Sequence, residues 1–211
     1  ESPMEHGIQM LFNQKKAGEH LPGILANWVN NATIIEGPRN YYMSALYGPK
    51  ATLESNFLML CSAAESIHRI LYPGKLLPDQ QFDSEVLPVL RDSIPQNIAS
   101  QIRASFCAKL AYLNEFSLNQ RLKELWRDNI VVAKHYSIDG KRLANLSSKL
   151  RNGLTHISTH TEHHEPISDY TVCSNFLRFL IELSFLKLMG FPVEVRQKLA
   201  IECYMYKWIF K

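Results

Sequence analysis

The chain has 211 residues, 46% hydrophobic and 20% charged, enough to bury a sizeable core in one domain or in one domain with a helical appendage. Its cysteines, Cys61, Cys107, Cys173 and Cys203, stand far apart with no CxxC pair, which argues against a zinc ribbon or redox motif and for reduced core thiols in a cytoplasmic protein. Net charge is +3, yet residues 103–151 hold ten Lys/Arg against four acids, a net of +6; this suits a polyanionic partner, while solvated helix faces are the blander reading.

Residues 1–20 are polar, carry Lys15 and Lys16, and read as weakly ordered and not as a secretory leader. From Pro22 to Ile35 the apolar positions Ile24, Leu25, Trp28, Val29 and Ala32 keep helical spacing, Gly37-Pro38 punctuates, and a second helix follows to Tyr47. The strongest helix starts near Thr52 and carries Leu53, Phe57, Leu60, Cys61, Ala64, Ile67, His68 and Leu71 to a stop at Pro73-Gly74. Residues 75–82 read as loop, and short helices are expected at 83–92 and 95–113, with Ser93 as a cap before the turn.

Leu118 to Ala133 continues as helix, Asp139-Gly140 turns, and Leu143, Leu146 and Leu150 drive a helix into Arg151. A polar loop at 157–166 precedes a long helix from Ser168 to about Met189, and a last amphipathic helix follows Gly190-Phe191-Pro192. Arg178, Glu182 and Lys187 interrupt the most apolar run, which is shorter than the roughly 20 residues a bilayer crossing needs. With no sustained period-2 pattern, the expected class is all-α, an antiparallel helical bundle with additional N- and C-terminal helices. A division into an N-terminal helical extension at 1–48 and a main helical domain at 49–211 is expected.

Leu150-Arg151-Asn152-Gly153-Leu154-Thr155-His156 is the stretch that carries chemistry. A guanidinium can hold a phosphate through two parallel hydrogen bonds, and an imidazole moves protons near neutral pH. On an unbroken helix residues five apart point about 140° apart. A break at Asn152-Gly153 is therefore expected, to bring Arg151 and His156 into one cleft. These groups suit metal-free RNA cleavage: His156 acts as base or acid on the ribose 2′-OH or the leaving oxygen, Arg151 faces the phosphate, and Asn152 donates to a phosphate oxygen or orients the imidazole. Lys141, Arg142 and Lys149, on the approach to the motif, are candidate RNA-binding residues.

The pattern Leu-Arg-Asn-x-Leu-x-His after one helix and before a long one resembles the signature of the HEPN superfamily, and Asn56 to Arg69 resembles the first core helix of its ApeA-like members. The resemblance covers roughly residues 22–190. It implies an endoribonuclease effector of anti-phage or abortive-infection defence, yielding a 2′,3′-cyclic phosphate, with transfer RNA as a family-based substrate. Arg151, Asn152 and His156 take the family's motif positions, and the tyrosine some HEPN toxins carry two residues after the histidine is here Ser158. The family works as dimers with two motifs facing one cleft, so a homodimer is expected, with no cofactor and no membrane. Domains of this kind often end larger proteins, and the chain starts at Glu1, so an upstream sensor domain is expected. The alternative is a catalytically silent HEPN-type module for dimerisation or nucleotide binding.

Glu65 shares a side of its helix with His68; it is an accessory candidate, or else a surface carboxylate held by Arg69. His156, His160, His163 and His164 match no standard zinc spacing, and no metal is expected there. Trp28, Trp126 and Trp208 are expected as core or interface anchors before base-stacking platforms.

Overall fold

The computed structural model describes residues 11–49, 51–155 and 166–210. Their regular structure is helical apart from one isolated antiparallel bridge between Lys75 and Glu115. In chain order the helices are α1 (Gln14–Ala17), α2 (Leu21–Asn30), α3 (Glu36–Tyr47), α4 (Leu53–Leu71), α5 (Asp79–Gln81), α6 (Leu87–Asp92), α7 (Ser100–Leu110), α8 (Leu118–Asp128), α9 (Ile130–His135), α10 (Gly140–Thr155), α11 (Ile167–Leu188), α12 (Val193–Glu202) and α13 (Tyr204–Ile209). A π-helical turn at Phe82–Val86 joins α5 to α6.

The chain forms two compact units, the larger from the segments up to Tyr72 and from Leu118 onward, the smaller from Pro73–Ser117. In the larger unit α11 is apolar around most of its circumference, so it sits in the middle. Phe176, Leu177, Phe179, Leu180 and Ile181 are fully buried, and α4, α8, α10 and α12 pack against this helix. Each such side chain contributes about 1.5–3 kcal/mol of transfer free energy. Trp28 meets Phe185 edge-on with centroids 6.1 Å apart, and Trp126 packs on the core, whereas Trp208 is 75% exposed and anchors nothing in this core.

Local chemistry sets the helix ends that matter for the site. Thr52 Oγ1 accepts from the Ser55 N–H at 3.2 Å and starts α4. Asp139 Oδ1 accepts from the Arg142 N–H at 3.0 Å and starts α10. Gly140 lets that first turn lie on Trp126, since a Cβ there would come within 2.3 Å of the indole. Gly37 and Pro38 fall inside the first turn of α3, where a proline costs no intrahelical bond.

Several expected boundaries move. The 118–133 helix divides at Asn129, whose amide donates to Leu125 O at 2.9 Å and competes with the helix ladder. The last helix divides at Cys203, which is extended at φ −64° and ψ 117°. Residues 95–99 lie outside α7, and Ser93 caps no helix start: its hydroxyl donates back to Val89 O at 2.7 Å. The smaller unit is tied at its neck by Asn114, whose amide accepts from Leu77 N–H at 2.8 Å and donates to Leu77 O at 2.9 Å.

No helix among the described residues is long and apolar enough to cross a membrane. Cys61, Cys173 and Cys203 are buried thiols, and Cys107 is half-buried.

Candidate functional site around Arg151

The expected turn at Asn152-Gly153 is absent. α10 runs through both residues to Thr155, and Gly153 is not among the positive-φ glycines, which are Gly18, Gly74 and Gly190. Helical hydrogen bonding overrides the weak propensity of an Asn-Gly pair, because a helical glycine costs only about 1 kcal/mol against alanine. Thr155 reinforces the last turn by donating to Arg151 O at 3.0 Å. A Cβ at Gly153 would meet nothing within 4 Å. Gly153→Ala should therefore raise the midpoint of thermal unfolding, by about 0.5–1 kcal/mol of added stability. A lowered midpoint would mean that Gly153 needs a conformation alanine cannot adopt.

Helix geometry then sorts the candidate residues. The buried side of α10 is formed by Leu143, Ala144, Ser147 and Leu150, and Arg151 lies at its edge, half-buried. Lys141, Arg142, Lys149 and Asn152 are exposed and occupy the outward side, roughly 80–180° around the axis from Arg151. The outward basic residues and the inward-leaning arginine therefore do not form one patch. His156, with His160, His163, His164 and Ser158, lies outside the described residues.

α10 packs against α4. Arg151 lies within electrostatic reach of Cys61, and so does Glu65, one turn further along α4. Burial pushes the Cys61 thiol well above its ordinary range, Arg151 pulls against that shift, and Cys173 and Glu65 add to it. Arg151 of α10 and Glu65 of α4 thus act electrostatically, with opposite sign, on the same buried thiol. Glu65 is also ion-paired with Arg69, Nη2 to Oε1 at 3.1 Å, as an i,i+4 pair. Among the described residues, the Arg151 guanidinium has one hydrogen-bond partner, Asn152 Oδ1 at 3.4 Å, beyond good bonding distance. Among those residues, most of its donor fork is unoccupied and could meet a ligand oxygen.

A second cluster escaped the sequence reading. His68 and Arg121 are both fully buried. Arg121 Nη1 stands 3.0 Å from His68 Nδ1, and His68 Nε2 stands 2.8 Å from Glu124 Oε2. A guanidinium can only donate, so Nδ1 accepts, Nε2 carries the proton, and the imidazole donates to Glu124. Burial lowers the proton affinity of His68, with Arg121 and Arg69 acting the same way against the pull of Glu124. The chain Arg121–His68–Glu124 cross-links α4 to α8 and fixes both the imidazole tautomer and the partly exposed carboxylate. Its sequence signal was hidden because His68 sits in an apolar stripe and Arg121 counts as one of many basic residues. Burial also takes Arg121 out of the +6 stretch, while Arg103 and Lys109 of that stretch belong to the smaller unit.

Among the described residues no group of three or more His, Cys, Asp or Glu side chains could hold a metal ion. A family model described as Apea-like HEPN matches residues 58–195, from within α4 to the start of α12, a span that includes Arg121, Arg151 and the whole of α11. No curated protein and no solved structure matches the chain. With well over half of its length matched, from the helix carrying Glu65 past the one carrying Arg151, the chain belongs to the ApeA-like HEPN family.

Proposed function

We propose that this domain is a metal-independent endoribonuclease, the effector part of an anti-phage defence protein, acting as a homodimer on RNA, with transfer RNA as the first substrate to test. Family membership supports the coarser reading, an RNase-type effector in defence. The observation that carries the finer one is the Arg151 guanidinium, at the edge of the core with most of its donors unoccupied among the described residues.

In the proposed reaction a base takes the proton of a ribose 2′-OH, and the 2′-oxygen bonds to the adjacent phosphorus. The bond from phosphorus to the 5′-oxygen breaks, and an acid protonates that leaving oxygen. His156 supplies one of these proton transfers, and His156 of a second copy supplies the other. Arg151 neutralises the charge that grows on the non-bridging oxygens. Asn152 adds a neutral donor, Glu65 steadies the arginine side of the cleft, and Lys141, Arg142 and Lys149 attract the backbone through their charge. One arginine and one histidine per chain are few for this chemistry, so the complete site is composite, with two motifs facing each other.

The test is incubation of the purified chain with total RNA, with and without a chelator, beside DNA of matched sequence. Cleavage should persist in chelator, leave a 2′,3′-cyclic phosphate and a 5′-hydroxyl, and spare DNA, which lacks the nucleophile. Loss of cleavage in chelator, or a 3′-hydroxyl product, would overturn the mechanism. A catalytically silent dimerisation module is the second reading. The unbroken helix favours it, because it turns Asn152 outward, about 100° from Arg151. Absence of cleavage of any RNA by a dimeric chain would support it.

A further inference from the structure

Away from the motif, α2, α3 and α11, with Leu11 to Gln14 and Met205, line an open pocket of about 580 Å³ within the larger unit. Its volume lies in the roughly 300–1,000 Å³ range of small-molecule sites. The walls are apolar and aromatic, including Trp28, Met43, Phe185 and Met189. Arg39, Tyr42, Met43 and Tyr47 follow one another at helical spacing along α3, so a single side of that helix lines the space.

Three ionisable groups in the wall set its charge. Glu182 is the one carboxylate, and its acceptor oxygens are taken: Tyr42 and Tyr206 donate their hydroxyls to it, and Arg178 Nε donates at 2.6 Å. Burial holds both tyrosines in the neutral, donating form, raising their pKa well above the ordinary phenol value. Arg178 offsets Glu182. Arg39 remains: it lines the same cavity, is half-buried, and has no side-chain partner among the described residues. Among the described residues no acceptor occupies this guanidinium, so its donors are available to an anion in the pocket.

We propose that this cavity binds a small amphipathic carboxylate, its alkyl or aromatic body among Trp28, Met43 and Phe185 and its anionic head on Arg39. The formal charge of the wall is +1, which favours a monoanion. Among the described residues an alkylammonium finds no free carboxylate, and an uncharged alcohol cannot balance the charge of Arg39. The site is separate from Arg151 and does not depend on the nuclease reading.

Decanoate is the probe, titrated into the full chain by calorimetry below its micelle concentration, with decanol and decylammonium as controls. Saturable one-to-one binding is expected, tighter for decanoate than for decanol by about tenfold or more, as for a charge-assisted contact of about 1.5–3 kcal/mol. Decylammonium should not compete. Arg39→Gln should reduce decanoate affinity to that of decanol while leaving decanol binding unchanged, and Arg39→Lys should recover part of the difference. Equal affinity for the acid and the alcohol in the parent chain would overturn the proposal without any mutant. So would indifference of decanoate binding to Arg39→Gln, or the absence of saturable binding. Self-association that is lost in Arg39→Gln, with no decanoate binding, would give the cavity to a second copy and equally overturn it.

Discussion

Arg151→Ala should reduce RNA cleavage by about 10²–10³-fold, the cost of removing one donor to charge that develops in a transition state. The side chain is half-buried and its bond to Asn152 is long, so the fold should persist and the unfolding midpoint should move little. Arg151→Lys should fall between parent and alanine, because an ammonium keeps the charge and loses the planar fork. Composite geometry adds a sharper expectation. Mixing parent chains with an equal amount of His156→Ala chains should leave about a quarter of the rate given by the same total of parent chain, since only about a quarter of random dimers keep both histidines. About half of that rate would place a complete site in each chain, and full activity of Arg151→Ala would remove it from the chemistry.

Arg121→Ala should destabilise the chain by about 3–5 kcal/mol, a large share of the roughly 5–15 kcal/mol that holds a domain together. The substitution empties a fully buried site and strips the partner from His68 Nδ1, and the cost of an orphaned buried acceptor adds to that of the cavity. Chemical denaturation measures it. A loss below 1 kcal/mol would mean that the cross-link between α4 and α8 carries little. His68 should add a pH dependence of definite sign. Its proton affinity is lowered in the folded state, so the folded chain refuses a proton that the unfolded chain accepts. The contribution of this group is complete above the ordinary histidine pKa of about 6.5 and is lost as pH falls below it toward the lowered folded value. Unfolding free energies at about pH 7.5 and about pH 5 should therefore differ less in His68→Gln than in the parent. An unchanged difference would show that the folded and unfolded chains take up the His68 proton over the same pH range.

Apolar periodicity carries the all-α class because it is a local property: each amphipathic stretch must bury one side wherever it packs. α4 and α11 stand out for that reason, and Thr52 and Asp139 mark helix starts through contacts only three residues long. The same locality explains the misplaced boundaries. Asn129 and Cys203 read as mid-helix residues, yet one bonds a carbonyl in its own turn and the other takes an extended conformation between two packed helices. At Asn152-Gly153 the local turn signal was real but weak, and α10, held on its buried side by Leu143, Ser147 and Leu150, continues through it.

By itself the sequence determined the helical class, the strongest helices and the presence of an Arg-Asn-x-x-x-His stretch, all set by neighbours a few residues away. Only the tertiary structure decided which charges face water and which face one another. It buried Arg121 against His68, set Glu65 and Arg151 within electrostatic reach of one thiol, and turned Lys141, Arg142 and Lys149 away from that arginine. The physical reason is that the cost of a charge depends on what surrounds it in space. Residues 53 and 56 positions apart, such as His68 with Arg121 and Glu124, acquire that surrounding only when the helices pack.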